Sequence, residues 1–262
     1  DQRDLHLSLR RQRQMCIRDR NMLDVIALGF KPSLTRFIIN TRHATLLYKE
    51  ACKIAKHVTF STARAVFGFT HETNIGAIFY TSMQAVPCIL PSVLAKKNIP
   101  CLIPLGFDQD PHFRVARDVL PKLGYYKPAL LHCKFLPSLK GASKMSASEH
   151  DNILTTDSAE IVEKKIKRAF SGGAGTLAEQ RKYGANPEVD VAFQYLYMFF
   201  EPDDEKIKEI EEQYRTGKLL SSELKAYTAN KINAWLKKHQ AAREKARNKV
   251  DKFIWHEPFE WD

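Results

Sequence analysis

Apolar residues come in short runs through the first half of this chain and at helical spacing through the second, and that change of rhythm sets the expected architecture. Asp24 to Leu28 and Arg36 to Ile39 are expected as short strands between the turn residues Gly29, Pro32 and Ser33. Leu46, Leu47, Cys52, Ile54 and Ala55 then recur at helical spacing with Lys49, Lys53 and Lys56 outward, which predicts an amphipathic helix. Val66 to Phe69 is a short apolar segment, and Ile75 to Val86 predicts a helix closed before Pro87. Ile99 to Phe107 is an almost uninterrupted apolar run through Gly106, the pattern of a parallel strand buried on both faces. Asp110 to Leu120 is the helix after it, with Pro111 in the first turn, and Ala129 to Phe135 gives one more strand. Beyond these the spacing is helical: Ser158 to Phe170, Val189 to Phe200, Asp204 to Arg215, and Ser221 to Lys238 with a basic continuation to about Phe253. Ser221 is expected to cap the last of them.

Strand, loop, helix, strand, loop is the order of an α/β fold with a doubly wound parallel sheet, which binds ligands at the carboxyl ends of its strands. An all-α domain follows. The expected division is 21–175 for a partial Rossmann-like domain and 176–262 for the helical one, with 1–20 as a foreign or disordered segment. That first segment has no sustained apolar period. Met15 to Arg20 can be back-translated as ATG TGT ATA AGA GAC AG, which looks like the transposon end used in preparing sequencing libraries.

A length of 262 residues suits two domains with separate cores. The formal net charge is +11, of which the first twenty residues supply +3, so a polyanionic partner is expected with or without them. Lys225, Lys231, Lys237, Lys238, Arg243, Lys245, Arg247, Lys249 and Lys252 concentrate that charge near the C-terminus; a solvated helix face is the plainer reading. The five cysteines are scattered and never in C-x-x-C spacing, and the histidines stand apart, so no protein-bound metal and no disulfide framework are expected. No apolar run approaches a membrane span, and a reducing compartment such as the cytosol fits.

Two stretches carry chemistry. Lys144-Met145-Ser146-Ala147-Ser148 sets a flexible point charge beside two hydroxyls, a device for following charge as it gathers on a departing pyrophosphate. A solvated serine-rich turn is the plainer alternative. Gly106-Phe107-Asp108-Gln109 lies where the strand from Ile99 ends. There Gly106 would admit a ribose close to the backbone, Asp108 would accept from its hydroxyls, and Gln109 would bridge ribose and a substrate amine through its two-sided amide. Asp110 before Pro111 has the further reading of a helix cap.

Together with Asp108 to Arg114, Lys127 to His132 and Ala169-Phe170-Ser171-Gly172-Gly173, these motifs resemble the tryptophanyl-tRNA synthetases of the archaeal and eukaryotic cytosolic type, over about Met22 to Phe253. The tyrosyl enzymes share the fold and the lysine loop. The resemblance implies activation of tryptophan by Mg-ATP to an adenylate, then transfer to the tryptophan tRNA. It implies catalytic roles for Lys144, Ser146 and Ser148, and ATP contacts from Gly106, Asp108, Gln109, Lys144, Met145 and Ser146. It implies amino-acid contacts from Gln84 and Gln109, with Tyr80 one helical turn before Gln84 and a core aromatic as its alternative. It further implies a homodimer, for which Tyr80 to Pro91 is a candidate interface, and tRNA contact through the basic helical region.

The family's first nucleotide-binding element, a His-x-Gly-His-like sequence after the first strand, has no counterpart here. The chain therefore reads as the C-terminal part of a synthetase, with a non-catalytic RNA-binding paralogue as the alternative. Residues 1–262 alone are expected to form no adenylate and to aggregate through an open sheet edge. Tryptophan-dependent ATP–pyrophosphate exchange at near-normal rate by this polypeptide, with a sharp cooperative melt, would refute that expectation.

Overall fold

The computed structural model describes residues 19–144 and 152–256. It begins with a departure from the sequence pattern: residues 19–27 are helical (α1), where a strand was expected over Asp24 to Leu28. Met22, Leu23 and Ile26 are buried, a helical repeat too short for the sequence pattern to separate from a strand. Arg36 to Ile39 likewise makes only one bridge, Phe37 beside Ile254. Two compact units follow, one over Ile38–Phe135 and the other over Leu136–Ile254 together with the residues before Ile38.

The first unit contains α2 (Ala44–Ala55), α3 (Phe60–Phe67), α4 (Ile75–Ala85), α5 (Leu90–Leu94), β1 (Leu102–Gly106), α6 (Asp110–Val119) and β2 (Ala129–Cys133). Thr59 and Asn74 cap α3 and α4 by accepting from the third amide beyond them. Val66 and Phe67 thus end a helix. β1 and β2 pair in parallel from Leu102 opposite Ala129 to Gly106 opposite Cys133, the crossover through α6 being the right length for a βαβ unit. Leu46, Leu47 and Ile54 of α2, Leu105 of β1, and Phe113 and Ala116 of α6 share one core. Burial of β1 is one-sided, against expectation: Leu105 is buried while Leu102 is 59% exposed. Helices cover one face of the pair, so alternate residues look outward even though all of them are apolar.

The second unit adds the small antiparallel pair β3 (Pro137–Ser138) and β4 (Gly141–Lys144), then α7 (Ala159–Arg168), α8 (Leu177–Tyr183), α9 (Val191–Tyr195), α10 (Asp204–Arg215) and α11 (Ser221–Ala246). A π-helical turn, Leu196–Phe200, continues α9, and a 3-10 segment, Arg247–Phe253, continues α11. With 26 residues α11 is about 39 Å long. Its Ala229, Ile232 and Leu236 pack with Val162, Ile166 and Tyr195, its Leu224 with Ile210 and Tyr214, and its Ala246 with Leu23 and Ile26 of α1. Leu220, rather than Ser221, is the N-cap of α11, and its amide donates to Glu223 Oε2 at 2.7 Å.

The α1 docking is polar as well: Asp24 Oδ1 accepts from His239 Nε2 at 2.9 Å and from Arg243 Nε at 2.7 Å, with Trp235 stacked 4.7 Å from the His239 ring. Further along, Ser171-Gly172-Gly173 threads between α8, the Asn186 turn and the start of α11. A Cβ on Gly172 would lie 1.9 Å from Asn186 O, whereas one on Gly175 would meet nothing closer than 3.9 Å. Gly172→Ala should therefore cost about 3 kcal/mol or more, from overpacking against rigid backbone. Gly175→Ala should stay within about 0.5 kcal/mol of the parent. Urea unfolding of the two variants checks both.

Candidate functional site

The carboxyl end of β1 is where this fold places ligands. Gly106 ends the strand, Phe107–Gln109 turn in a 3-10 conformation, and Asp110 opens α6. A Cβ on Gly106 would sit 2.8 Å from the Phe135 ring and 3.2 Å from Asp108 Oδ1, so the turn is built for a residue without one. Four of the residues proposed from sequence meet here in a single hydrogen-bonded row. Tyr80 Oη donates to Gln84 Oε1 at 2.9 Å, Gln84 Nε2 to Gln109 Oε1 at 3.4 Å, and Gln109 Nε2 to Asp108 Oδ1 at 3.4 Å. Tyr80 is half exposed, so the core-aromatic reading of it does not hold.

Asp110 is not a cap. Gln109 holds the N-cap position, and the Asp110 carboxylate instead accepts from His132 Nε2 of β2 at 2.7 Å and from Arg114. These contacts tie the start of α6 to the neighbouring strand, and the His132 hydrogen bond, followed by that from Arg114, holds the carboxyl below its ordinary value. His112, which the sequence left as an isolated histidine, packs 4.5 Å from Phe67 and edge-on to Tyr80 at 5.7 Å. Burial pushes its imidazole pKa down, with Asp108 opposing, and its Nδ1 finds no partner among the described residues.

In the other unit Lys144 ends β4, opposite Pro137. Met145, Ser146 and Ser148 lie outside the described residues. Phe170 packs against Gly141, whose added Cβ would lie 3.1 Å from the ring, and its amide donates to Leu139 O at 2.7 Å. The Phe-Ser-Gly-Gly motif is therefore the floor under the lysine strand. Its anchor is Asp190, which sequence reasoning missed because an aspartate before a helix is an ordinary cap. Buried completely, Asp190 Oδ2 accepts from Ser171 Oγ at 3.0 Å, Gly172 N at 3.0 Å and Tyr214 Oη at 2.7 Å, while Oδ1 caps α9 through Phe193 N at 3.0 Å. Burial pushes the Tyr214 phenol up to about 12.

Three of the basic residues counted toward a polyanion surface serve the fold instead: Lys225 Nζ donates to Ala169 O at 2.7 Å, Lys231 pairs with the buried Glu201 at 2.7 Å, and Arg243 pairs with Asp24. Arg247 pairs with Glu244 on the exposed surface. Lys237, Lys238, Lys245, Lys249 and Lys252 are exposed. A cavity of about 620 Å³ opens beside α11, lined among others by Lys167, Ser171, Gly173, Gln180, Ser222 and Lys225. Gln180 is buried there, with its Nε2 lacking a partner among the described residues. Among the described residues no cluster of three metal-capable side chains occurs, and no helix is long and apolar enough to cross a membrane.

A parallel βαβ unit whose strand end gathers an acid and amides, followed by a helical unit, is the arrangement of class I aminoacyl-tRNA synthetases. Residues 9–237 match the family model for class I tRNA synthetases (W and Y), and the chain belongs to that family. It is 49% identical over 236 residues to the tryptophan–tRNA ligase of Sulfolobus acidocaldarius, covering 89% of this chain and 60% of that protein. The ligase of Sulfurisphaera tokodaii is 50% identical with the same coverages, 89% and 60%. The tryptophanyl-tRNA synthetase structure from Giardia lamblia superposes with a TM-score of 0.80 at 34% identity, over 90% of this chain and 66% of that one. The one from Aeropyrum pernix K1 gives 0.81 at 30% identity, over 91% and 65%. The chain thus spans about 60% of the length of the curated relatives it matches.

A folded-state carboxyl held low contributes stability that is complete above the unfolded value of about pH 4 and is lost as pH falls through the folded value. For Asp110 that contribution depends on His132. His132→Ala should move the Asp110 titration, followed by carboxyl NMR, back up toward the ordinary aspartate value. An unmoved titration would show that the 2.7 Å contact does not hold the charge.

Proposed function

We propose that this chain contributes to a tryptophan–tRNA ligase, activating tryptophan with Mg-ATP and transferring it to the tryptophan tRNA. The observation that carries the reading is the meeting of Gln84 and Gln109, twenty-five residues apart, with Asp108 at the carboxyl end of β1. The amide oxygens suit the amine of an amino acid. The carboxylate suits ribose hydroxyls. In the first step a tryptophan carboxylate oxygen bonds to the α-phosphorus, the bond to the bridging oxygen breaks, and pyrophosphate leaves carrying the electron pair. Lys144, with Ser146 and Ser148, would stabilise that gathering charge, Met145 would place its backbone near adenine, and no covalent enzyme intermediate is needed. In the second step a terminal ribose hydroxyl of the tRNA attacks the activated carbonyl and AMP departs. Magnesium enters as part of the nucleotide substrate.

The exposed lysines of α11 and its continuation support tRNA binding through phosphate contacts. On this reading residues 21–175 serve as the catalytic part and 176–262 as the RNA-binding part, with 1–20 outside both, although Leu139 beside the lysine strand packs with the helical core. A cytosolic homodimer completes the proposal. Tryptophan is favoured over tyrosine because the relatives at about 50% identity are tryptophan–tRNA ligases.

The test is ATP–pyrophosphate exchange with the protein expressed from its complete reading frame. Exchange should depend on tryptophan and not on tyrosine, and Lys144→Ala should lower kcat by about a hundredfold or more. Unchanged turnover in that variant would remove Lys144 from the mechanism.

A further inference from the structure

The Gln180 carboxamide is held at one end only. The Ser221 backbone amide can only donate, so the atom it meets at 3.4 Å is the Gln180 oxygen, which also accepts from Ser221 Oγ at 3.2 Å. That fixes the orientation of the group and leaves Nε2, with two protons, lacking a partner among the described residues. Gln180 is only 3% exposed, and it lines the cavity of about 620 Å³ beside α11. A buried donor left unmet costs stability, which a bound acceptor restores.

Lys225, in the same lining, is also short of a partner. Its Nζ donates to Ala169 O at 2.7 Å and to Lys167 O at 3.3 Å, both neutral carbonyls, and keeps a third proton. Burial pushes its pKa down, with Asp190 opposing. Lys167 adds an exposed ammonium to the lining, while Leu177, Ala226 and Ala229 give it an apolar stretch. Glu163, one turn before Lys167 on α7, is the carboxylate that opposes these cations.

We propose that this cavity is a binding site for a small organic oxyanion, a phosphomonoester carrying an apolar body. The phosphate oxygens accept from Gln180 Nε2 and from the two ammonium groups, and a doubly charged head matches two lysines. The body packs on Leu177, Ala226 and Ala229. A hollow of this volume suits a whole small molecule. The phosphates of an RNA strand are better met by open-surface lysines such as Lys237 and Lys238. None of the lining residues is among those assigned to ATP or tryptophan, so the inference does not rest on the ligase reading.

The experiment titrates phenyl phosphate into the protein expressed from its complete reading frame. Binding should saturate and move the NMR signals of the Gln180 side-chain amide and the Lys225 ammonium, equally in the parent and in Lys144→Ala. Lys167→Ala should weaken binding about five- to tenfold, as for one lost charge-assisted hydrogen bond. Glu163→Gln should strengthen it about twofold by removing a like charge at the surface. Unmoved Gln180 and Lys225 signals, or the same affinity in Lys167→Ala, overturn the site. Inorganic phosphate that binds as tightly as phenyl phosphate overturns the role of the apolar body. Displacement of phenyl phosphate by single-stranded RNA overturns the small-molecule assignment in favour of a strand phosphate.

Discussion

A carboxylate cannot donate a hydrogen bond, and the order of both units depends on that asymmetry. In the helical unit the fully buried Asp190 gathers four donors from three different segments: the Ser171-Gly172 loop, the start of α9 and the end of α10. Ser221 is drawn in through Ser171 Oγ at 2.8 Å and Tyr214 Oη at 2.7 Å, which fixes where α11 begins. Taking away any one donor leaves a lone pair unsatisfied in a medium that cannot replace it. In the other unit Asp108 plays the corresponding part at the surface. There it orients two neutral amides instead of locking helices together. One chemical fact, an acceptor that accepts from every side, serves packing in the first case and the orientation of exposed amides in the second.

Steric closeness acts beside that polar order. Gly172 and Gly173 lie where an added Cβ would come within 1.9 Å of Asn186 O and 2.4 Å of Ser221 Oγ, and Gly106 where it would come within 2.8 Å of Phe135. The two sites use the same residue differently. At Gly172 the crowding atoms are backbone and cannot retreat. At Gly106 the obstacle is the tip of an aromatic ring, so the position tolerates movement while still presenting its backbone at the strand end. Motif glycines that look alike in the sequence are thus crowded by rigid backbone in one place and by a movable ring in the other.

The reach of the sequence is uneven for physical reasons. α2, α4, α6, α7 and α10 were legible because amphipathic spacing or a capping residue marks each of them, and β1 and β2 because their apolar runs are short and bounded by turns. α1 was misread: Met22, Leu23 and Ile26 are too few to separate a period of 3.6 from one of 2, and what decides the matter is Asp24 reaching His239 and Arg243, more than two hundred residues away. The two-faced burial expected of β1 failed because composition says which residues are apolar, not which faces find a partner. Asp108 and Gln109 are proposed from their place at the end of the run from Ile99, and Gln84 from the family resemblance. Their joining into one hydrogen-bonded row with Tyr80, and the packing of His112 against Phe67 and Tyr80, could not be read before the chain was folded, since three helices and a strand supply the parts.

Charge gives the same lesson in a form that bears on function. A net charge of +11 invites a count of every lysine and arginine toward nucleic-acid affinity, yet the counterion-release argument applies only to cations that meet phosphate. Lys225 spends its donors on the carbonyls that end α7, Lys231 on a buried glutamate, and Arg243 on the aspartate that docks α1. In each of these contacts the loss of water is offset by a fixed partner of its own unit rather than by an exchangeable one. Lys237, Lys238 and Lys245 of the same helix are exposed. The cations of α11 therefore divide into those held by fixed partners of its own unit and those left exposed to solvent.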